Sequence, residues 1–320
     1  MGGDYAPKEI VLGAIQAHSE VRAQLILVGN QDQINALMPS RPPNIEVIHA
    51  SEVIGMDDKP IEAIRKKKDN SLSRCVELVK DGRADAVVSA GNTGAAAAAS
   101  LLAWRQMPGV HRPAIATSMP NKFGHFLLLD AGASPDIDPE QIVEFALMGR
   151  AYAMAVMGRE NPKVHLINMG EEPGKGSSFA KQAFNLLEKF PWFAGNVEGK
   201  DLVRTQLDVV VCDAFVGNII LKTAEGVAEY IFSEIKDAAT ANIITKLGFL
   251  PIRTKLRPLA RKLDYAEYGG SPLLGLNHLC TICHGRSNAK AIMNAIKGTD
   301  LALTNGLIQK IKESFTQTNG

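Results

Sequence analysis

Short apolar runs alternate with helix-patterned stretches along most of the chain. Leu25-Ile26-Leu27-Val28, Ile45-Glu46-Val47-Ile48, Ala86-Val87-Val88, Phe126-Leu127-Leu128-Leu129, Val164-His165-Leu166-Ile167 and Val209-Val210-Val211-Cys212 read as strands. Runs so short and apolar, bounded by turn residues, suit strands buried on both faces, and the stretches between them suit crossover helices. The pattern predicts an α/β fold with a mainly parallel sheet and flanking helices. In such a sheet ligands gather outside the carboxyl ends of the strands, where the strand order reverses.

Those ends carry small and polar residues. Val88 runs into Ser89-Ala90-Gly91-Asn92-Thr93-Gly94 and an alanine-rich helix, Leu129 into Asp130-Ala131-Gly132-Ala133, and Cys212 into Asp213-Ala214-Phe215-Val216-Gly217-Asn218. Each is a strand, a turn and a helix start, so several turns at one edge of the sheet are expected to converge on one site. Tight turns and helix caps by themselves account for many of these glycine, asparagine and aspartate residues.

The most informative turn follows Ile167. Asn168-Met169-Gly170-Glu171-Glu172-Pro173-Gly174-Lys175-Gly176-Ser177-Ser178 places backbone N–H groups, a helix start and one lysine together, which suits a phosphate. Compared with a nucleotide-binding P-loop it has one spacer too few, and a glycine stands where the Mg²⁺-binding hydroxyl belongs. Phosphate is therefore expected, and ATP is not.

Composition narrows the class without adding chemistry. With 320 residues, 46% of them hydrophobic, 22% charged and a formal net charge of +1, the chain reads as a globular enzyme with no global attraction to nucleic acid. No apolar run is long enough for a membrane span and no secretory signal is evident, so a cytoplasmic protein is expected. Cys75, Cys212, Cys280 and Cys283 are too scattered for a disulfide framework. Cys280-Thr281-Ile282-Cys283-His284 matches a haem-attachment pattern but lies in a short buried strand, and no metal site is expected.

Between Thr240 and Asp264 basic and apolar residues share one segment, with Asp264 the only acid. Gly248-Phe249-Leu250-Pro251 reads as an apolar hairpin tip, and Pro258 as the start of a second helix. Such a segment suits an anionic membrane surface, an acidic protein or a dimer interface.

In order, Met1-Gly2-Gly3-Asp4-Tyr5-Ala6-Pro7, the Ser89 to Gly94 turn, the Asn168 to Gly176 loop, Cys212 to Asn218, Tyr268-Gly269-Gly270-Ser271-Pro272-Leu273-Leu274-Gly275 and His284-Gly285-Arg286-Ser287 resemble the PlsX family of phosphate acyltransferases. The resemblance covers nearly the whole chain. It implies one two-lobed domain over 1–320, similar to isocitrate and isopropylmalate dehydrogenases and to phosphotransacylases, with a protruding amphipathic helical hairpin at 240–264. The implied reaction moves a fatty acyl group from acyl-(acyl carrier protein) to inorganic phosphate for phospholipid synthesis, without a cofactor. A homodimer at the membrane periphery is implied, and a downstream glycerol-3-phosphate acyltransferase is a further partner.

Carried onto this sequence, the resemblance makes Lys175 and Asn218 catalytic. It places Gly91, Asn92, Thr93, Gly94, Asn168, Gly174, Gly176, Asp213 and His284 in the phosphate and substrate site. Leu250, Arg253, Lys255, Arg257, Arg261 and Lys262 become the membrane and carrier-protein contacts. Family members begin with an apolar strand ending in Asp-Ala before Met-Gly-Gly-Asp, so a strand and an acidic residue near the site are expected to be lacking here, with activity reduced. Against that resemblance, the Cys280/Cys283 pair looks peculiar to this sequence rather than part of the family pattern. A nicotinamide-dependent dehydrogenase on the related fold is the rival enzyme, although no G-x-G-x-x-G unit with its acidic residue appears. An inactive membrane-surface scaffold for lipid synthesis is the non-enzymatic rival.

Overall fold

The computed structural model describes residues 1–263 and 265–316, without side chains at 243, 244, 247, 250, 251, 253, 259–261, 263, 265 and 266. The chain opens with α1 (Lys8–Ala17), β1 (Leu25–Gly29), α2 (Gln31–Leu37) and β2 (Ile45–His49). β1 and β2 pair in parallel as a two-stranded sheet over a small core of Val11, Ala14, Ile34, Met38 and Ile45. Next come α3 (Pro60–Lys66), α4 (Ser71–Lys80), β3 (Ala86–Ser89), α5 (Thr93–Trp104), β4 (Ala114–Asn121), β5 (Gly124–Leu129) and α6 (Pro139–Ala155). β6 (Val164–Asn168), α7 (Ser178–Leu187), β7 (Phe193–Glu198), β8 (Val209–Val211), α8 (Ala214–Thr240), α9 (Ile243–Leu263), α10 (Tyr265–Tyr268), β9 (Ser271–Leu274), β10 (Leu279–Ile282), α11 (Ala289–Thr304) and α12 (Leu307–Thr316) complete it.

An eight-stranded sheet runs in the order β3-β10-β9-β4-β5-β8-β6-β7. β3 and β10 are parallel, and β5, β8, β6 and β7 form a second parallel block. Between the blocks β9 and β4 are antiparallel to their neighbours, so the two blocks run in opposite senses. The expected strands are all present, and β4, β7 and β9 are additional. The expectation that all strand ends share one edge is corrected: the carboxyl ends of β3 and β10 point opposite to those of β5, β8 and β6. β9, however, has only four residues, about 13 Å at the usual strand rise, so features at its two ends still face one space.

The main core lies under α6, α7 and α12. Leu127, Leu129, Ile142, Phe145, Met148, Leu166 and Leu187 are almost fully buried there, each contributing about 1.5–3 kcal/mol by leaving water. A second core joins α4 and α5 to β3, β9 and β10 through Val76, Val79, Trp104, Leu273 and Cys280. The Trp104 indole donates to the Val76 carbonyl at 3.1 Å, which satisfies its one buried donor.

α8 has 27 residues but buries few of them: Ala214, Gly217 and Ala239. α9 is continuous in backbone from Ile243 to Leu263. The turn expected at Gly248–Pro251 and the new helix at Pro258 are therefore corrected. A proline forfeits one hydrogen bond and crowds one earlier carbonyl, a local cost of about 3 kcal/mol that a long helix survives when the turns on either side hold.

Candidate functional site

A cleft of about 960 Å³ lies over β4, the central antiparallel strand. Ile115, Thr117, Ser118, Met119 and Pro120 of β4 line it, with Thr93 and His284 from one block of the sheet and Gly132 and Asn218 from the other. Leu221, Glu225 and Phe232 of α8, Arg257 of α9 and Tyr268 complete much of its wall. Thr117 and Ser271 share a hydroxyl–hydroxyl hydrogen bond of 2.8 Å within it.

Four turns define the surroundings. After β3, Asn92 caps α5 by accepting from the Ala95 N–H at 2.9 Å. Its Nδ2 donates to the carbonyls of Met56 at 2.9 Å, Asp58 at 3.0 Å and Gly55 at 3.3 Å. Asn92 is buried and its amide is spent on this latch, so Thr93, the exposed first residue of α5, is what this turn presents to the cleft. Gly94 is required by packing, because a Cβ there would stand 2.7 Å from Pro60 of α3. Gly91, beside it, meets no such obstacle.

After β5 stands Asp130, fully buried, whose carboxylate accepts from the N–H groups of Ile115, Gly132, Ala133 and Ser134 at 2.8–3.0 Å. Burial pushes its carboxyl up from the ordinary value while the four amides pull it back. Sequence reasoning passed over Asp130 as a turn residue; the signal available was a charged residue directly after a wholly apolar strand. After β8, Asp213 caps α8 through the Val216 N–H at 2.9 Å. A Cβ on Gly217 would fall 1.9 Å from the Asp130 carbonyl oxygen, so glycine lets the base of α8 press onto this turn and sets Asn218 beside Gly132. After β10, the His284 ring accepts from the Arg286 N–H through Nδ1 at 3.1 Å.

The loop after β6 is different. Asn168 accepts from the Met169 N–H at 2.8 Å and donates to the Lys175 carbonyl at 3.2 Å, while Ser177 caps α7. Gly176 has φ +90° and a Cβ there would strike the Asn168 Oδ1 at 2.3 Å. Asn196 of β7, not anticipated from sequence, steadies the loop by donating to the Glu172 carbonyl at 3.0 Å. Lys175 is exposed on this pinned loop, beside Gly174, whose surroundings are open.

The structure thus gathers Thr93, Asn218, His284 and Arg257 on one cleft. Asp213 instead lines a neighbouring cleft of about 560 Å³ with Arg112, Ser177 and Phe215. Asn168, Gly174, Lys175 and Gly176 sit on the adjacent loop, since β6 pairs directly with β8. Lys255, Arg257 and Lys262 are exposed on α9, and the side chains of Leu250, Arg253 and Arg261 lie outside the described residues. Burial pushes the thiols of Cys280 and Cys283 up to about 11 and about 12, which keeps them protonated and poorly nucleophilic.

Comparison with known proteins adds to this geometry. A model of the fatty acid synthesis protein family matches residues 1–310. A phosphate acyltransferase of Desulfitobacterium hafniense (strain DSM 10664 / DCB-2) is 47% identical over 319 residues, 98% of this chain and 96% of that protein. One from Thermodesulfovibrio yellowstonii is 46% identical over 322 residues, 99% of this chain and 93% of its own. Among solved structures, a phosphotransacetylase from Streptococcus pyogenes superposes with a TM-score of 0.63 at 16% identity, covering 93% of this chain and 92% of its own. A branched-chain phosphotransacylase from Enterococcus faecalis V583 gives 0.56 at 13% identity, covering 94% and 97%. These structural likenesses establish a shared α/β fold.

Proposed function

Because the chain belongs to the fatty acid synthesis protein family, whose relatives at 46–47% identity are phosphate acyltransferases, we propose that it transfers a fatty acyl group from an acyl-(acyl carrier protein) to inorganic phosphate, supplying acyl-phosphate for phospholipid synthesis. One observation carries the structural side: a large cleft with a mainly apolar wall lies beside the exposed amide of Asn218, and the loop bearing Lys175 follows the neighbouring strand.

Inorganic phosphate is already a charged oxygen nucleophile at neutral pH, so positioning and electrostatics suffice. A phosphate oxygen attacks the thioester carbonyl, the C–S bond breaks, and the proton of hydrogen phosphate ends on the departing thiol. Lys175 and the amides of its loop hold the phosphate. Asn218 donates to the carbonyl oxygen as charge builds on it, and the cleft over β4 receives the acyl chain. No side chain is asked to act as nucleophile, in keeping with buried, protonated thiols.

The decisive assay incubates the protein with palmitoyl-carrier protein and phosphate and traps the product with hydroxylamine. Phosphate-dependent palmitoyl hydroxamate supports the reading, and its absence refutes it. The same reading makes the protein a homodimer at a membrane surface. Phe215, Ile219, Val227, Tyr230 and Ile231 are large apolar residues left exposed along α8, which favours burial against a second copy. Tyr230→Glu should then convert a dimer to a monomer in light scattering. For α9, loss of binding to anionic vesicles on Leu250→Glu with Arg257→Glu is the expected result, and unchanged binding would exclude that surface.

A further inference from the structure

We propose that the basic face of α3 and the turn after it is the docking surface for the acidic protein that delivers the acyl thioester. The inference rests on the acyl-transfer reading and adds a surface to it. Arg65, Lys66, Lys67 and Lys68 form the densest run of positive charge in the chain, with Lys59 at the N-cap of α3 nearly two turns earlier. Lys59 and Lys66 expose 81% and 77% of their side chains, and Arg65 and Lys68 are exposed beside them.

Three of the nearby acids are turned to internal use, and Asp57 is exposed at the edge of the patch. Asp58 takes Lys67 at 2.5 Å and the Gly55 N–H at 2.8 Å. Asp69 accepts from Ser51 and Arg74, and Glu52 from the Asp69 N–H. Glu62, bridged weakly to Lys59 and Lys66, is the acid left on the helix itself. Val53, Met56 and Ile61, 38–53% exposed, supply an apolar component beside the charges. A mixed basic and apolar surface of this kind fits a small acidic protein.

Position strengthens the assignment. The Asn92 amide holds the carbonyls of Gly55, Met56 and Asp58, so the start of α3 is fastened to the turn that presents Thr93 to the cleft. Pro60 packs on Gly94, and Met56 reaches Gly285, next to His284 on the same cleft. A carrier seated on α3 therefore stands at the Thr93–His284 end of the cleft, with its thioester arm directed toward Asn218. The basic residues of α9 are then left for lipid.

The test compares two donors on one folded protein. Arg65→Glu/Lys66→Glu/Lys68→Glu should raise KM for palmitoyl-carrier protein about tenfold or more. It should leave kcat, and all kinetics with palmitoyl-pantetheine, within about twofold of wild type. Salt should weaken the wild type toward the variant with the carrier donor only. Lys310→Glu on α12 serves as a control for charge reversal at a distant surface. An unchanged KM for the carrier donor overturns the surface, as does a loss of anionic-vesicle binding with carrier kinetics intact. Should wild type make no acyl-phosphate from either donor, the acyl-transfer reading itself falls. Where the triple variant melts early, Arg65→Gln/Lys68→Gln repeats the comparison without inverting charge at the helix end.

Discussion

The turns after β3 and β6 look alike in sequence, each an asparagine and glycines between an apolar strand and a helix, yet they are built for different work. After β3 the asparagine side chain is buried and makes four hydrogen bonds, one capping its own helix and three reaching a distant segment. After β6 the asparagine closes its loop on itself through the Met169 N–H and the Lys175 carbonyl, and the lysine stays in solvent. One turn is a latch and the other is a mount for a charge. A side-chain amide can complete a fold or address a substrate, and its hydrogen-bond partners decide which.

Mutations should separate the latches from the mount. The largest effect is expected at Asp130, which makes as many side-chain hydrogen bonds as Asn92 but carries a carboxylate and is fully buried. Asp130→Ala strands buried N–H groups and should cost about 3–5 kcal/mol in urea unfolding. Next, Lys175→Ala and Asn218→Ala should each lower acyl-phosphate turnover about 100-fold or more while melting temperature stays at the wild-type value. Asn92→Ala should do the reverse, costing about 2 kcal/mol of stability from the lost cap and latch, with a smaller loss of turnover at low temperature. If Asn92→Ala kept its stability and lost turnover, the two turns would belong to one class after all.

The smallest effect is a pH edge on the latched segment. Hydrogen bonds from Ser51, and then from Arg74, hold the Asp69 carboxyl down to about 2 from an ordinary 3.8. A depressed carboxyl stabilises the fold above its unfolded value and ceases to do so as pH falls through the folded one. Asp69→Asn should therefore lower the melting temperature at pH 7, by a margin that narrows from pH 4 and closes near pH 2.

The two turns also show what could be read in advance. Every apolar run assigned to a strand is one: in the large sheet, β5 and β8 are buried almost throughout and leave a continuous hydrophobic signature, while β1 and β2, half-buried in a two-stranded sheet, still carry short runs of branched residues. β4 escaped notice because Thr117, Ser118, Pro120 and Asn121 interrupt its pattern, and β9 because Ser271-Pro272-Leu273-Leu274 is too short to register. Those two antiparallel strands set the opposed blocks and the cleft, so the site's architecture was the least legible part of the fold. The loop bearing Lys175 was legible as a strand-to-helix turn because its glycines and serines directly follow an apolar run. The latch made by Asn92 was not, since its partners lie more than thirty residues away.

α8 is seated at one end and runs outward for 27 residues, about 40 Å. Asn218 is its fifth residue, about 6 Å along the axis from the helix start at Ala214 and next to the seat that Gly217 makes on Asp130. A rod pivoting at its base moves points in proportion to their distance from the pivot. A sway of about 5 Å at Thr240 thus reaches Asn218 as about 1 Å. The gearing runs in the protective direction: the outer helix is the long arm, and the carboxamide sits on the short arm, where most of any motion at the far end has been divided away.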